Sequence, residues 1–256
     1  MTLAFKFFQI VGEMSQLVRQ IWSEVRRKPL YLQLIVEQVL QIGIKSFPLI
    51  MIVVGCVGMV MALQFGVSLE KFGGKMYVPK IVSLSIIREL GPVLAGLMMA
   101  ARVGAGITSE IGSMKVTEQI DAIRALGTSP IKKIIIPRVV GSLIALPILS
   151  VMANTVGVYG GLFIGYADLG LDPQFYFQKM ISTITVSDYL SGLGKSFFFA
   201  FFISVPACYY GLKVTGGTRG VGKATTRSVV TACILIIMSD YFLTKLFLTL
   251  EHWISG

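Results

Sequence analysis

A chain of 256 residues that is 54% hydrophobic and only 14% charged, with a mean hydropathy of +0.77, is excluded from the class of soluble domains. Its formal charge of +10 does not point to nucleic acid, because the lysines and arginines gather between apolar runs, where they fix membrane topology and meet anionic headgroups. Three cysteines, Cys56, Cys208 and Cys233, sit in apolar segments without metal-ligand spacing and read as small buried residues with no redox role.

Over residues 5–39, apolar Phe8, Val11, Leu17, Val18, Trp22 and Val25 alternate with Glu13, Arg19, Glu24, Arg26, Arg27 and Lys28. That pattern predicts a helix lying in the membrane interface, with Trp22 and Tyr31 at headgroup level. No small-residue cleavage site follows a clean hydrophobic core, so the N-terminus is expected to be retained. The first membrane span is read at 44–67 and the second at 87–107. Between them, residues 77–86 are too short for the roughly 20 residues a crossing helix needs and are expected to form a short surface or partly inserted helix. A third span lies within 131–166, a loop with a short helix after Pro173 occupies 168–185, and spans four and five fall at 189–212 and 229–250.

The expected fold is therefore an all-α integral membrane protein forming one domain over residues 1–256, with its five spans in 44–250 and its termini on opposite sides. Basic residues precede span one (Lys6, Arg19, Arg26, Arg27, Lys28, Lys45) and fill the segments between spans two and three (Lys115, Arg124, Lys132, Lys133, Arg138) and four and five (Lys213, Arg219, Lys223, Arg227). The positive-inside rule then places the N-terminus in the cytoplasm and the C-terminus outside. Small residues at four-residue spacing, Gly58, Ala62 and Gly66 in span one and Gly157, Gly161 and Gly165 in span three, allow close helix packing.

Several charged residues lie where hydrocarbon makes them costly. Arg88 and Glu89 open span two beside Gly91 and Pro92, either lining a polar vestibule for an amphipathic substrate or anchoring the helix at the interface. Asp188 and Lys195, seven residues apart, share one face at the start of span four, with the same two readings. Asp240 lies inside span five and needs a partner or water, and a proton-relay role is the sharper alternative. Arg102 and Glu110 are placed to make polar contacts among helices.

Residues 110–127 are more telling. Glu118 and Asp121 stand early and Arg124 late in a predicted short helix, as the helix dipole favours, and Gly127 supplies a stop. Val116, Ile120 and Ile123 give it an apolar side, so the element suits a groove on a cytoplasmic protein, with an ordinary interfacial loop as the bland alternative. Gly217 to Lys223, GTRGVGK, matches most of a phosphate-binding loop, but alanine follows at 224 and a membrane span precedes it in place of a β-strand, so it reads as a flexible basic turn. The single histidine, His252, has no ligand cluster around it in the sequence, and no metal site, histidine triad or other catalytic residue is assigned.

The segment RELGPVLAGLMMAARVGAGITSEIGSMKVTEQIDAIRALGTSP, Arg88 to Pro130, resembles the signature region of the MlaE permeases, also called the YrbE family, and GVGKATTRSVV, Gly220 to Val230, is similar to its second characteristic stretch. The resemblance extends over nearly the whole chain. It implies the permease of a bacterial ATP-binding-cassette transporter in the inner membrane, present as two copies. The implied partners are two cytoplasmic ATPase subunits that hold the ATP and magnesium, a periplasmic hexamer of MCE-domain proteins, and a STAS-domain accessory protein. The implied substrate is phospholipid, passed between the inner membrane and a periplasmic carrier route to preserve outer-membrane lipid asymmetry.

By the same resemblance, residues 110–127, with Glu110, Glu118, Asp121 and Arg124, form a coupling helix that transmits ATPase movement, and Arg88, Glu89, Asp188 and Lys195 lie near a lipid cavity. Arg88 or Lys195 would offer charge to a phosphate. The alternatives are a membrane scaffold that recruits a cytoplasmic protein without moving substrate, and an ion-driven transporter using Asp240.

Overall fold

The computed structural model describes residues 3–26 and 31–255, and among them every regular element is helical. Helix α1 spans Leu3–Val25 and α2 Leu32–Glu70. A continuous helical column from Lys75 to Val116 follows, made of a short 3-10 turn, α3 (Val78–Ser85), a π-helical turn at Ile86–Leu90, α4 (Gly91–Met99), a second π turn at Ala100–Gly104 and α5 (Ala105–Val116). Short α6 (Gln119–Ala125) leads through a π turn at Ile131–Ile135 into α7 (Ile136–Ala167), then α8 (Pro173–Thr183), α9 (Val186–Leu212) and α10 (Gly217–Ser255). Five stretches are long and apolar enough to cross a membrane: Leu32–Glu70, Lys75–Val116, Ile131–Ala167, Val186–Leu212 and Gly217–Glu251. The chain is thus an all-α membrane protein with the expected number of spans.

Three expectations change in detail. Residues 77–86 are not a separate surface helix. Val78, Val82, Ile86 and Ile87 are fully buried and form a core with Ala62, Val158 and Leu169, so packing extends span two toward its N-terminus by about three turns. The interfacial region does not run through to residue 39, because Leu32 already opens α2, where Ile35, Val39 and Ile42 continue the apolar pattern of span one. The basic turn at Gly217–Lys223 is in fact the start of α10, and only Gly216 (φ 83°) and Gly217 (φ 67°) take the left-handed conformation of a turn. Arg27 and Lys28 lie outside the described residues, as do the side chains of Lys6 and His252.

The chain divides into two compact units, each assembled from three stretches. The first comprises Met1–Ile42, Met99–Ala145 and Ala200–Leu235. Its core holds Ile107, Ile111, Ile120, Ile135, Ala207 and Cys208. There α5 meets α9 closely: a Cβ on Gly211 would stand 2.8 Å from Ile111 Cβ, and Thr108 Oγ1 lies 2.8 Å from the Gly104 carbonyl and 3.1 Å from that of Ala207. Helix α1 buries Leu17 and Ile21 and exposes Phe5, Phe8, Val11 and Trp22. Glu13 ties it down, accepting from Tyr209 Oη at 2.6 Å and pairing with Lys213 at 3.0 Å. Those two donors hold the Glu13 carboxyl down at about 2.

The second unit comprises Gly43–Met98, Leu146–Phe199 and Ile236–Gly256. Here α2 and α7 touch backbone to backbone, since a Cβ on Gly58 would stand 1.9 Å from the Gly157 carbonyl oxygen. The rest of the small-residue stripe does something else. Gly161 and Gly165 cradle the buried Tyr176 ring of α8, to which a Cβ on Gly165 would approach within 2.7 Å, and Gly66 accommodates Leu169.

Candidate functional site

Residues expected to couple the chain to a partner fall in the first unit. Glu118 adopts a left-handed backbone (φ 58°) ahead of α6 and is exposed, and its carbonyl accepts from Ala122 N at 2.9 Å. Asp121 accepts from Lys115 Nζ at 2.8 Å and pairs with Arg124 at 3.5 Å, and these cations hold its carboxyl below the usual aspartate range. Ile120 alone is fully buried from the predicted apolar side, Ile123 is half-buried, and Val116 ends α5 in an exposed position. Glu110 stands apart from this short helix: it lies within α5 and pairs with Arg138 at 3.0 Å. Leu126 is exposed at the end of α6, and a groove of about 670 Å³ lined by Gln20, Glu24, Ile120, Arg124, Ser129 and Leu212 among others lies at the same corner.

The four residues expected near a cavity come together in the second unit. The π turn at Ile86–Leu90 carries Arg88 and Glu89, and the first three turns of α9 carry Asp188 and Lys195. Asp188 is placed by a capping box: Thr185 N donates to Asp188 Oδ2 at 2.7 Å while Asp188 N reaches Thr185 Oγ1 at 3.3 Å. Its other oxygen, Oδ1, accepts from Arg88 Nε. Arg88 Nη2 lies 3.2 Å from both carboxylate oxygens of Glu251. Lys195, buried on all sides, donates from Nζ to Glu89 Oε2, to Thr244 Oγ1 at 2.7 Å and to the Arg88 carbonyl at 3.2 Å, and pairs with Asp240 Oδ1 at 3.1 Å.

A cavity of about 240 Å³ opens beside this cluster, lined by Arg88, Glu89, Ser191, Lys195, Thr244 and Glu251 with Leu84, Phe247 and Leu248 as apolar wall. Asp240 takes the partner it needed in Lys195. Thr244 and Glu251 complete the site and were not singled out from the sequence. The signal was present: Asp240, Thr244 and Glu251, four and seven residues apart, fall on one face of α10 within a largely apolar stretch. Among the described residues no group of three or more His, Cys, Asp or Glu is arranged to hold a metal ion. The arrangement offers charge recognition and hydrogen bonding beside apolar walls.

The family described as Permease MlaE matches residues 35–246. A probable ABC transporter permease protein of Rickettsia conorii is 43% identical over 242 residues, covering 94% of this chain and 93% of the relative. A probable ABC transporter permease protein of Synechocystis is 37% identical over 210 residues, 82% of this chain and 80% of the relative. The intermembrane phospholipid transport system permease protein MlaE of Haemophilus influenzae is 34% identical over 214 residues, 83% of this chain and 82% of the relative.

Proposed function

The chain belongs to the MlaE permease family, and from that premise we propose that it is the membrane subunit of an ATP-binding-cassette system that moves phospholipid between the inner membrane and a periplasmic carrier route, preserving outer-membrane lipid asymmetry. It is a multi-pass inner-membrane protein and makes no covalent bond; ATP and magnesium act at separate ATPase subunits. Two permease copies work with two such ATPases and a periplasmic MCE-domain hexamer. At the finer level, a STAS-domain protein attends the ATPase, the N-terminus is cytoplasmic and the C-terminus periplasmic.

The observation that carries the reading is the cluster of Arg88, Glu89, Asp188, Lys195, Asp240 and Glu251 within membrane-spanning segments, beside a cavity with apolar walls. Charge in hydrocarbon is costly and marks a substrate path by default. A headgroup that enters the cavity exchanges its hydration for these fixed charges, while its acyl chains stay against apolar helix faces, so the barrier to moving the lipid falls. Glu118, Asp121 and Arg124 receive the ATPase stroke at α6, and ATP-driven closure changes the affinity of the cavity for lipid. Glu110, paired with Arg138, braces α5 behind that helix.

The test is to isolate the complex from native membranes in mild detergent through a C-terminal tag and identify its proteins and lipids by mass spectrometry. An ABC ATPase, an MCE protein and bound phospholipid are expected. A permease recovered reproducibly without an ATPase, under conditions that preserve other membrane complexes, sinks the proposal in favour of a scaffold or independent carrier. The Glu118→Ala/Asp121→Ala variant is expected to assemble normally and lose lipid transport; full transport would remove α6 from the coupling path.

A further inference from the structure

We propose that the cavity selects the ammonium-bearing headgroup of a zwitterionic phospholipid over an anionic headgroup, an inference that rests on the phospholipid reading above. The charge of the cluster carries it. Two cations, Arg88 and Lys195, face four carboxylates, those of Glu89, Asp188, Asp240 and Glu251, a formal excess of two negative charges. Both cations are already engaged. The three protons of the Lys195 ammonium face four oxygen acceptors, and Arg88 spends Nε on Asp188 and Nη2 on Glu251. A phosphate arriving alone must displace a carboxylate to reach Lys195, and on Arg88 it is left with the Nη1 side of the guanidinium.

Exposure points the same way. The Lys195 and Asp188 side chains are only 2% and 1% exposed, whereas Glu89 and Glu251 are 37% and 36% exposed and both line the cavity. An entering group therefore meets two carboxylates and one cation, Arg88, at similar exposure. A carboxylate has about four acceptor sites and Glu89 accepts from Lys195 and Thr244, so a primary ammonium with three N–H donors has a place to bind there. Arg88, 30% exposed and lining the same cavity, is the one cation within reach of the adjoining phosphate. A volume of about 240 Å³ falls below the roughly 300–1,000 Å³ of whole-ligand pockets, which suits a headgroup with its acyl chains left outside. An anionic headgroup brings a third uncompensated negative charge into a setting where like charges are weakly screened.

The experiment uses the whole complex, exchanged into nanodiscs of equimolar phosphatidylethanolamine and phosphatidylglycerol with EDTA present, followed by quantification of the lipid that stays bound after purification. Phosphatidylethanolamine is expected to be enriched about tenfold over phosphatidylglycerol. Glu251→Gln should bring that ratio to within about twofold of the bulk by removing one exposed carboxylate. Replacing phosphatidylethanolamine with phosphatidylcholine on the unmodified complex should also lose most of the enrichment, because a trimethylated ammonium donates no hydrogen bond, and this arm does not depend on a variant. Equal or preferential retention of phosphatidylglycerol overturns the selectivity, as does a ratio unmoved by Glu251→Gln. Recovery of both lipids at the bulk ratio ends headgroup selection and leaves the transport reading standing. No bound phospholipid of any class ends the transport reading itself.

Discussion

In the unit built around α5 and α6, charged groups sit near the surface, and several find partners close in sequence: Asp121 pairs with Lys115 and Arg124, six and three residues away, with side chains 36% to 71% exposed. In the unit built around the π turn at Ile86–Leu90, Arg88 finds Asp188 and Lys195 finds Glu89 across 100 and 106 positions, and the deepest members are almost wholly buried. The first arrangement leaves charges free to change partners when another protein arrives. The second cannot lose one member without stranding another, because a buried charge without its partner keeps its desolvation cost. The proposed docking surface and the proposed substrate path thus differ in how tightly their ion pairs are bound into the fold.

The sharpest way to break that comparison is Lys195→Met, which strands Glu89 and Asp240. It is expected to destabilise the protein by about 3–5 kcal/mol, read from thermal unfolding in detergent. Adding Glu89→Gln and Asp240→Asn should recover most of the stability and none of the transport. A single variant that melts like the unmodified protein would show that the cluster is not a tightly bound unit. Next in size is Gly58→Ala, whose Cβ would stand 1.9 Å from the Gly157 carbonyl oxygen and force α2 from α7, at about 1–3 kcal/mol. Gly106→Ala in α5, with nothing within 4 Å of its Cβ, is the matched control and should not destabilise, raising stability by at most about 1 kcal/mol through lost backbone freedom.

Smaller effects are expected in the first unit. Asp121→Asn should leave the melting temperature where it is and act on ATP-coupled transport alone, since its partners are exposed. A lowered stability with normal coupling would reverse the contrast between the units. Glu13 supplies a pH test. Because its folded carboxyl is held at about 2, below the ordinary value of 4.5, the tie it gives α1 is complete above about pH 4.5 and is lost only as pH falls through about 2. Hydrogen exchange of α1 amides should therefore be flat from pH 8 to 5, after correction for intrinsic rates, and Glu13→Gln should raise it throughout. A protection step within that interval would assign the tie to another group.

Five spans were legible because each is an apolar run near the length the hydrocarbon requires, and the short helix at Gln119–Ala125 because acidic, basic and glycine residues mark its ends. The start of span two was not legible: Lys80, Arg88 and Glu89 interrupt the hydropathy, and only burial of Val78, Val82, Ile86 and Ile87 shows that the helix continues. Neither was Gly165 as a seat for Tyr176, since four-residue spacing of small residues is the same whether a helix or an aromatic ring fills the notch. Of the charged cluster, Arg88, Glu89, Asp188 and Lys195 stood out because charge in an apolar run is conspicuous, whereas Glu251 lay beyond the expected end of span five and Thr244 carries no charge at all.

By itself the sequence determined membrane residence, the number of spans and the existence of a charged set costly enough to need a purpose, because hydrocarbon penalises unpaired polar groups strongly and locally. Which charge meets which was decided only by tertiary structure. Pairing across a hundred residues depends on a π turn that presents Arg88 and Glu89, a capping box that aims Asp188, and a glycine contact that brings helices together, and none of these has a periodicity that a linear sequence displays.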